Sequence, residues 1–221
     1  MTPAKGQPSP REGKPYPPEL LTEDDVRLLM KQCSRHYPTG IRNRALIMFI
    51  YRSGLRISEA LALRCADVNM DTGVIHVLRG KGSKPRTLGI DDEALAVLQR
   101  WLDKRKELGI RANGNPLFCT LKGGPVSDRY VRDMLHRIGA KAGIEKTVRP
   151  HGLRHSYAAE LIAEGEPINK VSKALGHANS GVTARYIDHI QPHDVIAMGR
   201  KRKPFTEDGK DKEEGGEEAS G

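Results

Sequence analysis

The stretch ALIMFIY, residues 45–51, limits more than any other feature how this chain can fold. Consecutive apolar side chains cover every side of a helix rather than one stripe. A helix of that kind, read here from about Ile41 to Ser53, belongs in the middle of a molecule with other elements around it. Gly54 is placed to end it as a left-handed cap. The strictly apolar part, Ala45 to Ile50, is far too short to cross a bilayer. The cover must therefore be protein.

That cover is legible on both sides. In LLTEDDVRLLMKQC, Thr22 caps a helix while Asp25 reaches back to it, and Val26, Leu28, Leu29 and Cys33 supply its apolar positions. A short helix follows from Ser58 to Arg64. The period then changes: VIHVLR (74–79) and TLGI (87–90) alternate around GKGSKP, which predicts a β-hairpin with a mobile, basic tip. Helices return at Asp91–Leu108 and at Ser127–Ala142, the latter with Ser127 as N-cap. Further helices are expected at His151–Glu164, Ile168–Leu175 and Gly181–Ile190, with a short amphipathic piece at Pro192–Met198. No repeat is visible. The expected fold is mostly α with one small antiparallel β-sheet, an α+β arrangement.

Charge narrows the function. The chain of 221 residues carries +9 overall, but TEDGKDKEEGGEEASG (206–221) holds a net −5, which leaves +14 on the remainder. A field of that strength suits binding to polyanions, of which nucleic acid is the commonest, and on charge alone equally well suits plain solubility. Scarce aromatics argue against base stacking as the main source of binding energy. Cys33, Cys65 and Cys119 have neither metal-ligand nor disulfide spacing, which suits a reducing cytoplasm. Residues 1–19, rich in Pro, Gly and charge, lack the apolar core of a signal peptide and are expected to be a disordered arm or linker.

Chemistry concentrates in RPHGLRHSYAAELIAEGEPINKVSKALGHANSGVTARYIDHI, residues 149–190. His151 and Arg154, three apart at a helix start, share one face. The start of that helix also offers backbone N–H groups to an anion. LGH puts His177 in a glycine-containing turn, and Tyr186 follows nine positions later.

HxLRH, then LGH, then a tyrosine nine residues on resembles the second half of the tyrosine recombinase signature, the phage integrase and Xer-like family. SGLRISEAL (53–61) resembles the segment with the family's first active-site arginine, here Arg56. GKGSKPR (80–86) resembles the hairpin that carries its lysine, here Lys81. The likeness runs from about Leu20 to Met198, with Arg56, Lys81, His151, Arg154, His177 and Tyr186 in family order. It implies a catalytic domain over 20–200, preceded by the 1–19 arm and followed by a charged disordered tail, 201–221. Most members also carry an N-terminal core-binding domain. Only the arm precedes Leu20 here, so the expectation is either an excised catalytic domain or a naturally minimal recombinase.

The resemblance implies DNA strand breakage and rejoining through a 3′-phosphotyrosine at Tyr186, with no cofactor and no metal. Arg56 and Arg154 would clamp the phosphate, since guanidinium forks match its oxygens and stay charged. His151 would take the phenol proton. Lys81, on the hairpin tip, would protonate the leaving 5′ oxygen, with Lys84 as competitor for that role. His177 would donate to the phosphate. Glu59, one turn after Arg56, is placed to orient that arginine or a neighbouring histidine, and His155 to pack beside the site. Implied partners are double-stranded DNA, further copies of the chain in a tetrameric synapse, and a partner recombinase or accessory protein. Two other classes stay open: a type IB topoisomerase with the same phosphotyrosine chemistry, and a non-catalytic DNA-binding module of the same fold.

Overall fold

Pro38 opens the central helix, α2 (Pro38–Ser53), at a position where its fixed φ is welcome and its missing N–H costs nothing. Every residue from Ala45 to Tyr51 is buried. The computed structural model describes residues 20–78, 85–112 and 114–176. All of these fall in the first of two units of the chain, 1–187. The N-terminal arm, the hairpin tip, the helices expected near 181–190 and 192–198, and the charged tail lie outside the described residues.

Helices pack around α2 as its sequence requires. α1 (Glu23–Lys31) carries the expected capping box: Thr22 Oγ1 accepts from the Asp25 N–H at 3.1 Å, and Asp25 Oδ2 accepts from the Thr22 N–H at 2.9 Å. α3 (Ile57–Ala62) follows α2 directly and leads through a 3-10 turn (Cys65–Asp67) to strand β1 (Val74–Val77). β1 pairs antiparallel with β2 (Arg86–Gly89) in the register Val74–Gly89, Ile75–Leu88, His76–Thr87, Val77–Arg86. Ile75, Val77 and Leu88 face the core.

α4 (Asp92–Glu107) is capped by Asp91 and α5 (Asp128–Lys141) by Ser127, each side chain accepting an N–H three residues on. α6 (Pro150–Ala163) and α7 (Ile168–Leu175) complete the described elements. α4 and α6 make the most extensive packing with α2. Trp101 of α4 is fully buried and donates its Nε1–H to the Leu117 carbonyl at 2.9 Å. Among the described residues, no helix is long and apolar enough to cross a membrane.

Candidate active site

Glu59 sits in the first turn of α3 with its side chain wholly buried. A buried carboxylate survives in charged form only when paired and hydrogen-bonded. Its Oε1 accepts from Arg56 Nη1 at 2.9 Å and from Arg86 Nη1 at 3.0 Å. Its Oε2 accepts from the Arg56 backbone N–H at 2.9 Å and from Arg86 Nη2 at 2.8 Å. Arg154 Nη1 stands 4.0 Å from the same oxygen. Burial alone would raise the Glu59 pKa, but the hydrogen bonds and charges of Arg86 and Arg56 hold it down at about 2.

The same three arginines converge on the end of α7. Arg86 Nε donates to the Ala174 carbonyl at 2.8 Å, Arg154 Nη2 to Leu175 at 2.7 Å, and Arg56 Nη2 to Gly176 at 3.3 Å. The last carbonyls of a helix lack intrahelical partners and form the negative end of its dipole. Here three successive ones each receive a different guanidinium. Three cations against the one carboxylate of Glu59 leave an excess of positive charge, the condition an incoming phosphate needs.

The arginines differ in access. Arg154, on α6, is 2% exposed and spends its other terminal nitrogen on the Gly54 carbonyl at 2.7 Å. The Arg56 side chain is 37% exposed and forms the open edge of the cluster. His151, in the first turn of α6, is open to solvent on its outer side. Its ring meets that of His155 edge-on, with centroids 3.9 Å apart. Burial of its inner side, then the charges of Arg154 and Arg56, lower its pKa from 6.5. It is therefore neutral near pH 7 and able to take a proton.

The structure thus gathers Arg56 and Arg154 at Glu59 and places His151 within electrostatic reach of both arginines. Lys81, Lys84, His177 and Tyr186 lie outside the described residues. Arg86 belongs to the cluster and is absent from the sequence-derived set. The signal for it is strand parity: Arg86 is two residues before the buried Leu88 and pairs with the buried Val77, so it faces inward. A second strand started at Thr87 leaves Arg86 outside it, whereas the strand begins at Arg86 itself. Among the described residues, no group of His, Cys, Asp and Glu could hold a metal ion.

Comparison with known proteins agrees with this geometry. The model of the phage integrase family matches residues 19–193. The tyrosine recombinase XerC of Xanthomonas axonopodis pv. citri is 35% identical over 211 residues, 93% of this chain and 67% of that protein. The XerC of Halalkalibacterium halodurans is 34% identical over 192 residues, 85% of this chain and 63% of that protein. The chain thus spans about two thirds of the length of these curated relatives. The crystal structure of XerA recombinase superposes with a TM-score of 0.72 at 28% identity, covering 87% of this chain and 68% of that one. Since the family model spans most of the sequence, and its arginines and first histidine fall together in space, the chain belongs to the phage integrase family.

Proposed function

We propose that this chain is a site-specific DNA recombinase of the tyrosine type, cutting and rejoining strands through a 3′-phosphotyrosine at Tyr186. The observation that carries the reading is the pair Arg56 and Arg154 at Glu59, with His151 within electrostatic reach of both arginines and positive charge in excess. The Tyr186 oxygen attacks phosphorus, a new O–P bond forms, and the bond from phosphorus to the 5′ oxygen breaks. His151 takes the phenol proton, and Lys81 supplies one to the departing 5′ oxygen. Arg56 meets the non-bridging oxygens from the open edge, while enclosed Arg154 holds the geometry behind it and adds charge. His177, directly after Gly176 in sequence, adds a hydrogen bond to the phosphate. Attack by the freed 5′ hydroxyl reverses the sequence of steps and rejoins the strands.

Double-stranded DNA is the substrate, supported by the +14 carried outside the acidic tail. A solved relative, the XerH recombinase, was captured bound to its palindromic difH substrate after cleavage; it has a TM-score of 0.67 at 28% identity, covering 84% of this chain and 53% of that one. Exchange between two duplexes requires several active sites, so the chain works in an assembly of copies on DNA, alone or with a partner recombinase. Three free cysteines suit a reducing cytoplasm.

The test starts from cells expressing the chain. DNA recovered from SDS-resistant complexes defines the site, and a nicked duplex of that sequence traps the covalent adduct. Wild type should form the adduct and Tyr186→Phe should bind the duplex without forming it. An adduct that persists in the phenylalanine variant would refute Tyr186 as nucleophile.

A further inference from the structure

We infer that Arg86 is a positioning residue for strand cleavage, setting Arg56 through Glu59 and fixing the end of α7 through the Ala174 carbonyl. The inference rests on the recombinase reading above. It concerns a residue whose three guanidinium nitrogens are, among the described residues, each hydrogen-bonded to a protein acceptor.

Geometry assigns the role. The Arg86 side chain is 8% exposed and faces inward from β2. Each of its three nitrogens has one acceptor: Nη1 and Nη2 take the two oxygens of Glu59, and Nε takes the Ala174 carbonyl. A planar guanidinium serves three acceptors spread this way, whereas a lysine ammonium is a point charge. Glu59 is the group through which Arg86 reaches Arg56, because the carboxylate oxygen that accepts Arg86 Nη1 also accepts Arg56 Nη1. Remove Arg86, and the Glu59 carboxylate loses a donor on each oxygen, so the oxygen that directs Arg56 Nη1 is held less firmly.

A second observation comes from the other side of the guanidinium. A Cβ on Gly176 would stand 2.8 Å from Arg86 Nη1, 3.0 Å from Cζ and 3.1 Å from Nε. Gly176 also has a φ of 64°, which side chains disfavour. The glycine of LGH is therefore required twice, once by the backbone turn and once by the arginine lying against it. The last residue of GKGSKPR and the glycine of LGH are in contact across 90 residues of sequence.

The experiment measures single-turnover cleavage of the nicked duplex recovered from cells, its binding by anisotropy, and amide hydrogen exchange of residues 172–176. Arg86→Met should lower the cleavage rate about 100-fold, the scale of a small misplacement of catalytic groups, with DNA affinity unchanged. Arg86→Lys should recover part of the rate, because it restores the charge beside Glu59 but not the three-way fork. Gly176→Ala, pressing on the same guanidinium, should slow cleavage too, and the double variant should be no slower than the slower single one. Exchange at 172–176 should quicken in Arg86→Met and stay as in wild type for Arg64→Met, which alters an exposed arginine. Wild-type cleavage by Arg86→Met, or unchanged exchange at the end of α7, overturns the proposal. So does a parallel loss of rate, DNA affinity and melting temperature, which would make Arg86 a general support of the fold. If wild type itself forms no adduct, the recombinase reading fails, and the exchange data then decide separately whether Arg86 holds α7.

Discussion

The ring of Tyr157 closes over Gly54 so tightly that a Cβ there would stand 2.2 Å from the tyrosine Cδ1. The carbonyl of that same glycine accepts Arg154 Nη1 at 2.7 Å. The cap of the central helix and the seating of a site arginine are thus one piece of backbone.

Gly54→Ala should disturb both. The residue has a φ of 62°, where a side chain costs about 1–2 kcal/mol, and the overlap with Tyr157 adds on the order of 1–3 kcal/mol. Thermal unfolding should show a lower Tm. Cleavage measured well below that Tm should also be slower, because the carbonyl that seats Arg154 has moved. A stable variant with full cleavage activity would separate the cap from the site.

As the proposed base, His151 should set the acid side of the pH profile. Its pKa lies below 6.5 because burial and then Arg154 and Arg56 disfavour its charged form. The base is active when deprotonated, so the cleavage rate should rise with pH along a limb centred below 6.5 and level off above it. His151→Gln should remove that limb. A limb centred above 6.5 in wild type would contradict the assignment.

Glu59 ties stability to acid pH. Its folded pKa of about 2 lies below its ordinary 4.5, so its contribution is fully present above pH 4.5 and fades as pH falls towards 2. A depression of that size corresponds to about 3 kcal/mol for this buried group. Urea unfolding at neutral pH should find Glu59→Gln clearly less stable, because three guanidiniums lose their shared counter-charge. The gap from wild type should narrow as pH drops through that window. A gap of constant size from neutral pH down to pH 2 would show that the carboxylate charge is not what the arginines need.

Where the physics is local, sequence and structure coincide. Thr22 and Asp25 cap α1 as their spacing requires, and Ser127 caps α5, because a cap involves only residues within one turn. The all-round apolar run marked α2 as central, though the helix begins at Pro38, a start signal outside the apolar stretch that drew attention to Ile41. Arg56, His151 and Arg154 could be named from the family resemblance, but not the inward turn of Arg154 towards Gly54 and Leu175. Those acceptors are 100 and 21 residues away in sequence. Arg86 was missed for the same reason. Its partner, Glu59, lies on another element, and only strand parity hinted that an arginine was entering the interior.

The three guanidiniums that meet the carbonyls of Ala174, Leu175 and Gly176 have a thermodynamic consequence. A free arginine side chain carries about 2 kcal/mol of rotamer entropy. Arg56, Arg86 and Arg154 give up much of theirs when the chain folds, because protein oxygens already fix their directions with no DNA present. Little side-chain ordering is then left for the moment of reaction. In the proposed reaction the cluster meets a developing phosphorane as a preorganised solvent, already polarised in the direction the transition state requires.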